Sequence, residues 1–314
     1  MRLMQEYFMS SATLQDIIRR LKNQHKASIE DLPKYAAIQL NDTHPTVMVA
    51  ELLRILVDEE RLPFPTAYDI CTQVFSYTCH TLMPEALEKW DLNLFETVLP
   101  RHIQIIYELN HHFLELLQKE YKVSTDVIRD LSIIEEGSPK KVKMANLAVI
   151  GSHAVNGVAA IHSELMKEQV FKNFNSIWPD KFQNKTNGVT IRRWLHHCNP
   201  GLSSLITGVV GSEDWALHAE GLTKLMDKLG DQQFCAQWAA VKRANKLRFA
   251  NYIREQLKVD VNPDVQLFDV QVKRIHEYKR QQLNILSVIY RYLRIKQGDI
   301  EGMQPRAVFI GGKA

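Results

Sequence analysis

The chain has 314 residues, 45% hydrophobic and 24% charged, and 39 Lys plus Arg against 36 Asp plus Glu leave a net charge of +3. These values exclude disorder, collagen and low complexity, and the scattered cations form no extended stripe for a nucleic-acid backbone. At about 100 to 200 residues per domain, the length implies two domains or one large one.

The opening stretch to about Gln24 reads as a helix, with Leu14, Ile17, Ile18 and Leu21 on one face and Thr13 as its cap. Ala36–Leu40 reads as a short strand, broken by NDTHP before an amphipathic helix carrying Val49, Leu52, Leu53, Leu56 and Val57. A longer helix follows from Pro100 to Tyr121. Asn146–Ile150 reads as a second strand, GSHAVNG as the loop after it, and Val155 to Met166 as the next helix. The polar run NSIWPDKFQNKTNGVT has turn residues and no period, which sets a domain change near Lys185: 1–185 and 186–314. Beyond it come helices at Leu202–Val210 and Gln233–Gln256, the alternating strand LFDVQV, a helix through Leu283, Leu286, Tyr290 and Leu293, and a strand at Ala307–Ile310. Strands alternating with longer helices predict an α/β fold with parallel sheets, whose ligands lie at the carboxyl ends of the strands. The last strand has no helix after it, so the expected sheet is unfinished and the chain reads as a fragment.

The densest chemical signal is VKRIHEYKR, Val272–Arg280, where Lys273, Arg274, Lys279 and Arg280 surround His276 and Tyr278 between a strand and its helix. Such junctions collect anions, and phosphate is the natural ligand. The alternative is a solvated basic helix start, although cations there oppose the helix dipole. NDTHP puts Asp42 and His44 in a loop after a strand, where they either face a substrate or cap the next helix. GSHAVNG has neither the dinucleotide nor the P-loop spacing, and His162 on an apolar face reads as a satisfied core histidine.

Cys71, Cys79, Cys198 and Cys235 are irregularly spaced and read as free thiols of a reducing, cytoplasmic setting. TCHT and HHC lack the paired ligand spacing of zinc sites, so no metal is expected. MRLMQEYF has no signal-peptide pattern, and the charge-free run Met144–Ser163 contains His153, His162, Asn146 and Asn156, which a bilayer centre would penalise.

NDTHP, TCHTLMPEALEKW, LPRHIQIIYELN, GSHAVNGVAAIHSE, KFQNKTNG and FDVQVKRIHEYKRQ together closely resemble the α-glucan phosphorylases, through almost the whole chain and in that family's order. The resemblance implies a GT-B arrangement of two Rossmann-like domains, both incomplete here: 1–185 as the latter part of the N-terminal domain, 186–314 as the first part of the cofactor-binding one. It implies retaining phosphorolysis of terminal α-1,4-linked glucosyl units to glucose 1-phosphate with pyridoxal phosphate, whose Schiff-base lysine would lie outside this chain. It also implies that Lys273 holds the cofactor phosphate and Trp194 lies near the cofactor ring. Arg274 and Lys279 would bind the substrate phosphate with Tyr278 beside them. His80 would contact the glucosyl unit, Asn187 a sugar hydroxyl, and Asp42 and His44 the acceptor-side sugar. A cytoplasmic homodimer acting on glucan and phosphate is expected of the complete protein, with no nucleic acid or membrane partner.

Three positions depart from the family pattern. Cys79 replaces the usual asparagine of TNHT, and Ile191 and Ala50 stand where proline is usual. A noncatalytic phosphate- or glucan-binding fragment that pairs with a complete subunit is the competing reading. A nucleotide-sugar glycosyltransferase of the same architecture ranks behind it, since it does not explain the register of the motifs.

Overall fold

The computed structural model describes residues 1–313. It divides into two compact units, Met1–Gly188 and Val189–Ala314.

In the first unit, helix α1 (Arg2–Arg20) begins well before Thr13, whose hydroxyl donates back to the Met9 carbonyl instead of capping. Strand β1 (Ile38–Asn41) leads through NDTHP into α2 (Val47–Arg54), and α3 (Phe64–Val74) runs directly into β2 (Phe75–Thr78). The long helix α4 is Pro100–Leu116, continued by a π-helical turn to Tyr121.

The strand expected at Asn146–Ile150 is a helix, α5 (Met144–Ile150), and the expected GSHAVNG loop contains strand β3 (Ala154–Gly157) instead. The physical reason is burial on every side. Met144, Ala145, Leu147, Ala148, Val149 and Ile150 are all buried, so the segment has no amphipathic contrast, and a short apolar run looks the same as strand or as core helix. Helix α6 (Ala160–Leu165) and strand β4 (Phe182–Asn184) complete the unit's main sheet.

That sheet has the order β1-β2-β3-β4, every pair parallel, with Leu40 beside Tyr77 and Tyr77 beside Val155. All four strands therefore end at one edge. Leu40, Phe75, Tyr77 and Val155 pack with Val49, Leu52, Leu53 and Ile106 in a core where each is fully buried. Its one buried carboxylate is also tied in place: Glu51 accepts from Ser11 at 2.7 Å, His102 at 2.6 Å and Arg54 at 2.8 Å. Burial alone would raise this carboxyl, but those donors outweigh it and hold it at about 2.

In the second unit, α7 (Pro200–Val210) is capped by Asn199 and α8 (Gln232–Leu257) by Asp231. Trp215 is buried with Ile206 and Ala216, its indole N–H donating to Thr207 at 3.0 Å. Strands β5 (Leu267–Val272) and β6 (Arg306–Gly311) pair in parallel along their full length, joined by α9 (Gln281–Lys296). Phe249, Phe268 and Phe309 meet edge to face beneath them.

Candidate functional site

In the first unit the candidate site is the carboxyl edge of the four-stranded sheet, where open parallel sheets bind ligands. Asn41 ends β1, Thr78 ends β2 and Asn156 lies near the end of β3. Thr78 and Asn156 are joined to each other and to Gln39 of β1: Gln39 donates to Thr78 at 2.8 Å, and the Thr78 hydroxyl donates to Asn156 Oδ1 at 2.8 Å.

His80 stands just past β2. Its backbone is fixed from one side by Cys79, whose amide donates to the Asn156 carbonyl at 3.0 Å and whose side chain is buried. Its ring is 2.6 Å, Nε2 to Oδ1, from Asn41. The cysteine that replaces the expected asparagine faces inward, its thiol donating to the Thr81 carbonyl at 3.2 Å, and burial pushes its pKa up. All four cysteines are free.

Asn187 is held near this edge by its amide, which donates to the Val158 carbonyl at 3.0 Å. His162 is not the satisfied core residue expected: it is half-buried, its Nε2 has no partner, and burial and then the nearby His80 lower its pKa. Gly157 is required here, because a Cβ would come within 2.8 Å of His162 Nδ1 and 2.4 Å of the Ser163 hydroxyl.

Asp42 has a left-handed backbone, φ 67°, a conformation that aspartate tolerates better than most residues. Its carboxylate accepts from the next amide, that of Thr43, at 2.9 Å, which closes the turn without reaching the helix beyond. His44 is exposed and its Nδ1 lies 2.9 Å from Arg2 Nη2. Glu6, His44 and Glu88 bring metal-ligand atoms within 4.8 Å of one another, but Arg2 also lies 3.3 Å from Glu6 and 3.9 Å from Glu88 and compensates part of their charge. Burial, followed by repulsion from Glu88, pushes Glu6 up to about 7.

In the second unit the basic cluster fills the loop between β5 and α9. Lys273 and Arg274 follow the strand, a short helical turn spans Glu277–Lys279, and Arg280 adopts φ 57° before the helix starts. Gln281 ties the loop down by donating to the Arg274 carbonyl at 3.0 Å. Alongside runs the end of β6, with the Lys273 amide donating to Gly311 and that of Ile275 to Lys313. A Cβ at Gly312 would press to 2.8 Å on the Lys273 carbonyl, so glycine permits the close approach of the two strand ends.

Among the described residues, Lys273, Arg274 and Lys279 pair with no carboxylate, and Lys279 Nζ lies 5.6 Å from the Tyr278 ring centre. Uncompensated cations on a glycine-lined loop suit a phosphate group. Trp194 is exposed in the turn Arg192–His197, and no hydrogen bond or ring contact among the described residues links it to the cluster.

His80, Asp42, His44 and Asn187 thus belong to one unit, while Trp194, Lys273, Arg274, Tyr278 and Lys279 belong to the other. Sequence reasoning missed Asn41, Gln39, Thr78 and Asn156. Asn41, directly after the expected strand Ala36–Leu40, was the one available signal, since the strands that carry Thr78 and Asn156 were not expected. No helix among the described residues is long and apolar enough to cross a membrane.

A family model described as carbohydrate phosphorylase matches residues 1–314. The chain is 51% identical over 321 aligned positions to glycogen phosphorylase, liver form, of Bos taurus, and 50% identical over 321 to the muscle form of Homo sapiens. It is 51% identical over 314 positions to glycogen phosphorylase 2 of Dictyostelium discoideum. Each comparison covers 100% of this chain but only 38%, 38% and 31% of the respective relatives, so the chain spans less than two fifths of their length. The chain belongs to the carbohydrate phosphorylase family.

Proposed function

We propose that this chain is part of an α-glucan phosphorylase that transfers terminal α-1,4-linked glucosyl units to phosphate, giving glucose 1-phosphate with retention. The observation that carries the reading is the uncompensated cluster Lys273, Arg274 and Lys279 at the carboxyl end of a parallel strand, in a chain about half identical to glycogen phosphorylases. The complete protein would be a cytoplasmic homodimer of GT-B arrangement, with 1–185 and 186–314 as parts of its two Rossmann-like domains.

Pyridoxal phosphate, when bound, would supply a phosphate able to exchange a proton with the substrate phosphate. In this chain Lys273 would hold the cofactor phosphate, with Trp194 near its ring. Arg274 and Lys279, flanked by Tyr278, would bind the attacking phosphate. Two phosphates repel, and cations already fixed in place offset that repulsion without reorganising during the reaction. His80 would contact the transferred glucosyl unit, Asn187 would hydrogen-bond one of its hydroxyls, and Asp42 and His44 would lie beside the acceptor sugar.

The test is phosphorolysis of maltoheptaose, with phosphate and pyridoxal phosphate supplied, by this chain and by a version extended at both ends from its own gene. Activity in the extended protein supports the proposal. A folded, cofactor-loaded extended protein without activity overturns it in favour of a noncatalytic glucan- or phosphate-binding role.

A further inference from the structure

We infer that Asn41 is a positioning residue for His80, fixing its ring with the proton on Nε2 and leaving Nδ1 as a hydrogen-bond acceptor. This rests on the reading of His80 as a glucosyl-site residue.

The geometry has three parts. The His80 backbone is set by the sheet: Asn41 pairs with Thr78 in the parallel ladder, and the ladder continues through the Cys79 amide to the Asn156 carbonyl. The buried Cys79 side chain anchors the residue just before His80. Only the ring is then free to turn, and the terminal torsion of histidine is broad and roughly two-fold. Asn41 removes that freedom, with its Oδ1 2.6 Å from Nε2.

The carbonyl oxygen can only accept, so Nε2 must donate, and in a neutral imidazole the proton on one nitrogen makes the other an acceptor. The other polar groups near this edge leave Asn41 as the partner of the His80 ring. His162 lies close enough to His80 that, after burial, His80 helps to lower the His162 pKa, and the Asn156 and Thr78 side chains are engaged with each other. Asp42, the nearest loop carboxylate in sequence, bonds its own turn amide.

Stability does not explain the pair. Asn41 and His80 are both exposed, so water would satisfy either one if the other were removed. What the contact fixes is orientation and tautomer. An Nδ1 acceptor selects a ligand group that donates, such as a sugar hydroxyl, and disfavours one that only accepts.

The test uses Asn41→Ala and Asn41→Asp, since aspartate also accepts from Nε2. In the 314-residue chain, histidine ring nitrogen shifts should report the Nε2–H tautomer for His80 in the parent and in Asn41→Asp, and a mixture in Asn41→Ala. In the extended protein, Asn41→Ala should weaken inhibition by glucose about tenfold, with Asn41→Asp restoring much of it. An unchanged His80 tautomer in a folded Asn41→Ala chain overturns the inference. A changed tautomer with unchanged glucose affinity keeps the coupling and instead overturns the placement of His80 in the sugar site.

Discussion

In Met1–Gly188 the polar side chains at the sheet edge are bonded to one another over a fully buried core, whereas in Val189–Ala314 Lys273 and Arg274 are exposed, Lys279 is half-buried, and none of the three pairs with a carboxylate among the described residues. The first edge is organised before any ligand arrives. The second has a defined backbone, held by Gln281 and by the end of β6, but no carboxylate among the described residues pairs with its side-chain charges. A site for a neutral, hydroxyl-rich ligand needs oriented donors and acceptors, while a site for a dianion needs stored positive charge.

The largest expected effect follows from that stored charge. Arg274→Ala or Lys279→Ala in the extended protein should lower kcat/KM for phosphate about a hundredfold or more, as removal of one group that stabilises developing charge commonly does. Because both side chains are largely free of protein partners, the thermal unfolding midpoint should barely move. Near-normal phosphorolysis with either change would break the assignment of this loop to phosphate.

The two units should also differ in how they tolerate truncation of a leucine. Leu53 is fully buried, and Leu53→Ala should cost about 2 to 5 kcal/mol. Leu286 on α9 is 53% exposed, and Leu286→Ala should stay within about 0.5 kcal/mol. Urea unfolding of the 314-residue chain, followed by probes in each unit, measures both. A large loss from Leu286→Ala would show that α9 is covered in solution.

What the sequence could reveal followed the same division. The basic loop was legible because its cations are contiguous, and LFDVQV because it alternates. The Asn41–His80 contact was not, because parallel pairing of β1 with β2 brings together residues 39 positions apart. Met144–Ile150 was misread since burial on all sides erases periodicity, and Thr13 was misread because a helix interior can satisfy a hydroxyl as well as a cap can. The family resemblance assigned roles to residues in both units, and geometry alone would have singled out only the charged loop and the polar edge.

Acid should probe the first unit's internal bonding. Glu51 is held at about 2, below its ordinary 4.5, so its contribution is present above pH 4.5 and is lost as pH falls toward 2. The shift corresponds to on the order of 3 kcal/mol. Melting temperatures between pH 5 and 2 should therefore fall more steeply for the parent than for Glu51→Gln, which starts lower because His102, Arg54 and Ser11 lose the negative charge and one of their two acceptor oxygens. Parallel slopes would show that the buried network does not govern acid stability.

A smaller effect of opposite sign should come from Glu6. Burial and the neighbouring Glu88 raise it to about 7, against the pull of Arg2 and His44. A carboxyl raised in the folded state binds its proton more tightly there than in the unfolded chain, so stability is full below pH 4.5 and declines as pH rises through 7. Glu6→Gln keeps the shape and removes the titration, and its melting temperature should be flatter between pH 5 and 8 than the parent's. The comparison also separates the buried carboxylate Glu51 from the half-buried Glu6. Glu51 has three donors and favours its charge, whereas Glu6 has Arg2 on one oxygen and no partner on the other. If the parent gained stability across that range, Arg2 would outweigh Glu88, and the cluster around His44 would carry its full negative charge at neutral pH.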